Sequence, residues 1–121
     1  MYGLARSVSL DFLRELELQQ VCLGEFQAIL QFDRDTCLII EGTSEISSKE
    51  DNVSRLVHAD RPDETKELVR FLGSRIVDAV NLGDGSIRLH FSNGALITLF
   101  DSNKDLESYQ ISCAGNEGIV V

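Results

Sequence analysis

Residues 86–100 read Ser86-Ile87-Arg88-Leu89-His90-Phe91-Ser92-Asn93-Gly94-Ala95-Leu96-Ile97-Thr98-Leu99-Phe100. Apolar and polar side chains alternate as far as Phe91, Asn93-Gly94 suits a two-residue hairpin turn, and an apolar run returns from Ala95. The stretch reads as a hairpin in which Phe91 faces Leu96, Leu89 faces Thr98 and Ile87 faces Phe100. Arg88/Leu99 and His90/Ile97 then share the opposite face. Upstream, residues 75–82 form a strand that enters the hairpin through Asp84-Gly85. Residues 75–100 are thus a three-stranded meander.

The first half echoes the second. With residues 12–40 laid on 71–99 at a constant spacing of 59, Phe12/Phe71, Leu13/Leu72, Val21/Val80, Leu23/Leu82, Gly24/Gly83, Leu30/Leu89 and Phe32/Phe91 coincide. Strands are expected at 17–24, 26–32 and 36–41, with Phe32 facing Cys37 and Leu30 facing Ile39. A parity shift between Leu18 and Val21, and between Val77 and Val80, predicts a β-bulge in each first strand. The third strand is apolar on both faces in each copy, so each meander should be covered on both sides.

Pro62–Leu72 reads as a helix, with Pro62 in its first turn, Asp63 and Glu64 at its positive end and Gly73 as its stop. Leu68, Val69, Phe71 and Leu72 form its apolar side. A shorter helical turn is expected at Ser9–Glu15. Residues 42–60 read as a polar linker. A last strand at Glu107–Cys113, and a short one at Gly118–Val121, close the sheet. The expected fold is a single α+β domain over residues 1–121, mainly antiparallel β. It comprises two duplicated three-stranded meanders, one main helix (about 62–72) and a short N-terminal helical turn.

Composition narrows the function. With 11 basic and 20 acidic residues the chain carries −9, which repels phosphate backbones and anionic membranes. Its apolar runs of four or five residues fall short of the roughly 20 that span a bilayer. The N-terminus lacks a charged segment leading into an apolar one, so a cytoplasmic location is expected. Cys22, Cys37 and Cys113 show no CxxC spacing and read as buried, inert thiols.

No catalytic set emerges. His58 and His90 are far apart in sequence and have no glycine-framed serine or cysteine cluster beside them. Asp101-Ser-Asn103-Lys-Asp105-Leu-Glu107 has alternating oxygen ligands but not the glycine and terminal acid of a calcium loop. No cofactor or metal is expected. The acidic turn residues Asp33, Asp35, Asp101 and Asp105 are candidates for contact with a basic protein. Arg88, His90 and Tyr109 are candidates for a pocket between the meanders.

Phe71-Leu72-Gly73, Gly85-Ser86-Ile87-Arg88-Leu89, Phe91-Ser92-Asn93-Gly94, Glu107-Ser108-Tyr109-Gln110-Ile111 and Ile119-Val120-Val121 together resemble a family of small bacterial proteins built on a domain of unknown function. Val21-Cys22-Leu23-Gly24 and Ile39-Ile40-Glu41-Gly42 are similar to its opening strands. The resemblance implies a bacterial source and brings no catalytic residues. The reading is a non-catalytic interaction protein, in its sharper form antitoxin- or immunity-like against a basic partner, with a homodimer as a further expectation. The alternative is a small-ligand or metal-binding domain, extending to an enzyme.

Overall fold

The computed structural model describes residues 9–48, 53–101, 108–113 and 119–120. The chain is mostly antiparallel β with a short helical segment. Its strands are β1 (Leu18–Leu23), β2 (Ala28–Phe32), β3 (Thr36–Ile40), β4 (Thr43–Ser48), β5 (Val53–His58), β6 (Ile76–Asn81), β7 (Ile87–Phe91), β8 (Ala95–Leu99), β9 (Tyr109–Cys113) and β10 (Ile119–Val120). They form two five-stranded sheets, ordered β1-β2-β3-β9-β10 and β5-β4-β8-β7-β6. The hairpin β4–β5 follows β3 in the chain but joins β8, whereas β9 follows β8 but joins β3. Each three-stranded ladder is therefore completed by strands that follow the other one.

The inner faces of both sheets share one core, which includes Leu18, Leu30, Leu38 and Ile40 from the first and Ile76, Leu89, Ile97 and Leu99 from the second. Phe32 and Phe91 stack across it at 6.5 Å, and Phe71 meets Phe91 edge-on at 4.8 Å. Such offset and edge geometries suit the quadrupoles of the rings.

Where the sheets meet, β1 and β6 extend backwards and pair with each other. The N–H of Leu18 donates to the carbonyl of Ser74 (2.9 Å), and that of Ile76 to Leu16 (2.9 Å). The N–H of Glu15 donates to Ile76 (2.7 Å), and that of Gly73 to Leu18 (2.8 Å). Each bond maps onto its mate at a spacing of 58 (73 minus 15). The correspondence continues in detail: Glu15 and Gly73 both have positive φ, 70° and 82°. Asp33 Oδ1 accepts from the Glu17 N–H, and Ser92 Oγ accepts from the Arg75 N–H, both at 3.0 Å.

Several expectations need correction. Both hairpins run one residue out of the expected register: Leu89 faces Ile97 and Leu30 faces Leu38. Around Asn93 the cause is a three-residue loop, in which Gly94 alone takes positive φ (86°) and its N–H closes the turn on Phe91 (3.1 Å). The slip keeps apolar pairs on the inner face. Bulges occur in both first strands, between Leu18 and Gln20 and between Ile76 and Asp78, the second starting a residue earlier than expected.

The segment at 62–72 is α-helical only over Pro62–Thr65 (α1) and continues as a 3-10 helix over Lys66–Phe71. Its buried residues are Thr65, Leu68 and Phe71, a spacing of three that a 3-10 helix lines up on one side. Val69 and Leu72 are exposed. At the N-terminal turn only Asp11–Leu13 is helical, again 3-10.

Residues 42–60 are not a linker but largely the hairpin β4–β5. Its one sign in sequence was alternation, with Ser44 and Ile46 buried and polar neighbours outside. Cys22 is exposed and Cys37 half-buried, because both point to the outer face of the first sheet. That face is only partly covered, so β3 is buried on one side alone, whereas β8 buries Thr98 on its outer side as well as Ile97 and Leu99 inside.

Candidate functional site

The register fixes what each sheet shows on its outer face. On the second sheet, Asp78 lies opposite His90, Val80 opposite Arg88, Leu96 opposite His90 and Thr98 opposite Arg88. Glu45 and Ser47 continue these rows on β4, and Leu56 and Ser54 on β5. The Arg88 guanidinium donates from Nε to Thr98 Oγ1 (3.2 Å). Arg14 donates to Asp78 Oδ1 at 2.7 Å, and this bond holds the Asp78 carboxyl below its ordinary range.

Arg88 and His90 thus share a face, as their alternation implied. Tyr109 does not join them. It is fully buried on the inner face of the first sheet, where its hydroxyl donates to the carbonyl of Gly85 at 2.7 Å. Burial pushes its phenol up, with the nearby charges of Asp101 and Asp84 adding to the effect. Side chains of the shared core occupy the space between the ladders around Tyr109, while Arg88 and His90 face away from it.

The acidic candidates also separate. Asp33 clamps the backbone of Glu17, and Asp35 is exposed beside it with φ of 53°. Asp101 follows β8, at the strand end remote from the Phe32–Phe91 stack. Its Oδ1 is buried and accepts no hydrogen bond among the described residues. Its Oδ2 lies 2.6 Å from where a Cβ on Gly85 would stand. Asp105 lies outside the described residues. Among those described, no three histidine, cysteine or acidic side chains gather as metal ligands, and no helix is long and apolar enough to cross a membrane.

Sequence reasoning missed the other sheet's outer face. Gln20, Cys22, Ile29, Gln31, Cys37, Ile39, Gln110 and Ser112 occupy neighbouring positions there and none carries charge; at the end of β3 the Glu41 carboxylate accepts from Gln110 Nε2 at 2.9 Å. The signal was available once β9 was placed beside β3, a pairing no local pattern reveals. A third feature is a groove between β4–β5 and the 3-10 helix, lined in part by Ile46, Val53, Arg55, Arg70 and Phe71.

The chain belongs to a family of unknown function, DUF6188, whose model matches residues 10–121. No curated protein and no solved structure matches it.

Proposed function

We propose that the chain is a non-catalytic bacterial interaction protein of the cytoplasm that works as a pair of copies joined through the outer face of the first sheet. The observation that supports this is the distribution of charge. Charged residues make up 26% of the chain, yet the described strand positions on that face have none, and the one carboxylate among the described residues that reaches it, that of Glu41, accepts from Gln110 Nε2 at 2.9 Å. Two copies at −9 each repel as they approach. A contact with a single carboxylate, already held by an amide, adds little to that repulsion. Ile29 and Ile39 give it an apolar centre, and glutamine amides both donate and accept, so the face suits its own copy.

Among the described residues, a basic partner finds on this face only Glu41, already bonded to Gln110. It would meet the acidic turns instead, Asp33 and Asp35 at one end and Asp101 at the other, drawn by the combined field of two copies. This is the immunity-like form of the reading, fast and salt-sensitive in its association. We read the recurrent hydrogen bonds as an internal duplication of a ladder-plus-hairpin unit.

Sedimentation across protein concentrations, at low and high salt, tests the pairing. The expected result is a dimer that persists in high salt, is lost in Ile39→Lys and is kept in Leu96→Lys, a half-buried position on the outer face of the second sheet. A monomer at every concentration, or a dimer indifferent to Ile39→Lys, would overturn it.

A further inference from the structure

The groove beside β5 has a volume of about 340 Å³. Ile46, Phe71 and Ala95 give it an apolar lining and Val53 an exposed apolar rim. Arg55 enters from β5 and Arg70 from the 3-10 helix. Both reach towards one carboxylate: Arg55 Nη1 lies 3.8 Å from Glu67 Oε1, and Arg70 Nη1 lies 3.6 Å from Glu67 Oε2. These distances exceed a good hydrogen bond, and both guanidiniums are more than half exposed, at 64% and 59%.

Two cations sharing one anion leave an excess positive charge, in a chain whose balance is strongly negative. The architecture does not demand it: at the spacing of 58 that relates the backbone bonds of the two turns, Arg70 falls on the exposed Phe12, and Phe71 on the buried Leu13 and not on Phe12, where the sequence echo puts it. Alongside, β5 is the edge of the second sheet and pairs only with β4 among the described strands. An edge strand offers unpaired backbone groups along its length.

We infer that the groove and the edge of β5 together bind an extended peptide segment bearing a carboxylate. The peptide backbone adds a strand to β5, an apolar side chain enters the groove, and the carboxylate lies between Arg55 and Arg70. The apolar lining and the open edge favour a peptide over a small free anion, which would use neither. This site is independent of the pairing face.

The test is selection from a random peptide library on the intact chain, followed by affinity measurement on the enriched peptides. Enrichment of carboxylate-bearing, β-branched or apolar sequences is expected. Arg55→Gln and Arg70→Gln should each weaken binding about tenfold, the loss of one charge-assisted hydrogen bond. N-methylation of alternate peptide residues should abolish it, whereas Ile39→Lys should leave it unchanged. Amidating the peptide C-terminus shows whether the carboxylate is terminal or a side chain. No enrichment, or peptides that bind equally to the Arg55→Gln/Arg70→Gln double variant, would overturn the assignment. Both arginines are exposed, so unchanged thermal unfolding of the variants serves as the control on folding.

Discussion

The two sheets share a bonding scheme and differ in what they show to solvent. Gln20 of the first sheet corresponds to Asp78 of the second, Ile29 to Arg88, Gln31 to His90 and Gln110 to Glu45. At each of these positions a neutral side chain faces a titratable or charged one. Inside, the correspondence is closer: Leu30 matches Leu89, Leu38 matches Ile97 and Ile40 matches Leu99, all buried. Packing constrains the inner faces to similar volumes, while the outer faces are free to diverge and carry whatever recognition the protein performs.

The strongest challenge to that internal equivalence is the aromatic pair. Phe91 meets both Phe32 and Phe71, whereas among the described residues Phe32 meets only the Phe91 ring. Phe91→Ala should cost about 3–5 kcal/mol by chemical denaturation, and Phe32→Ala about 1 kcal/mol less. Equal losses would mean that the two halves share the core evenly. The next pair is Tyr109 and Ser44, which stand opposite Ile40 and Leu99 in their sheets. Tyr109→Phe strands the Gly85 carbonyl and should cost about 1–3 kcal/mol. The buried Ser44 hydroxyl has no partner among the described residues, so Ser44→Ala should be neutral or stabilising.

Smaller and opposite in sign are the effects expected at Glu15 and Gly73. Both occupy the left-handed region, which costs a residue with a Cβ roughly 1 kcal/mol. Gly73→Ala should destabilise by about that amount, with no steric contribution, as a Cβ there meets nothing within 4 Å. Glu15→Gly should be stabilising by about 0.5–1 kcal/mol in the same chemical denaturation.

The smallest effect concerns a contact found in one half alone. Glu64 Oε1 accepts from the His58 backbone N–H (2.9 Å) and lies 2.7 Å from His58 Nδ1, joining the end of β5 to α1. The bond to the His58 side chain, and then that to its backbone, bring the carboxyl from 4.5 down to about 2. A depressed carboxyl stabilises the fold fully above its unfolded pKa, and that support fades as pH falls from about 4.5 through about 2. Glu64→Gln should therefore flatten the stability curve in that window. An unchanged slope there would show that the contact does not couple to folding.

Local pattern made the two ladders legible: alternation around Leu89 and Leu30, the Asn93-Gly94 turn and the bulges could all be read from neighbouring residues. Register was missed by one because loop length depends on whether Asn93 or only Gly94 takes positive φ, which composition does not decide. The hairpin β4–β5 was missed because Thr43-Ser44-Glu45-Ile46-Ser47-Ser48 has a single large apolar residue, and its burial comes from β8, some fifty residues away. The candidate surfaces were harder still. Arg88 and His90 share a face through simple alternation, but Tyr109, Arg55 and Arg70 acquire neighbours only through long-range pairing.

The exchange of strands between the ladders has a bearing on how the chain folds. Ser44 must find Leu99 and Ile40 must find Tyr109 before either sheet is complete. These distant loop closures come late and their entropy is repaid only when both halves are present, which favours slow folding. Neither ladder can open fully without pulling away strands that finish the other, so the two sheets should exchange their slowest amide protons by one shared unfolding event. The molecule, built as two similar halves, is expected to melt as a single unit.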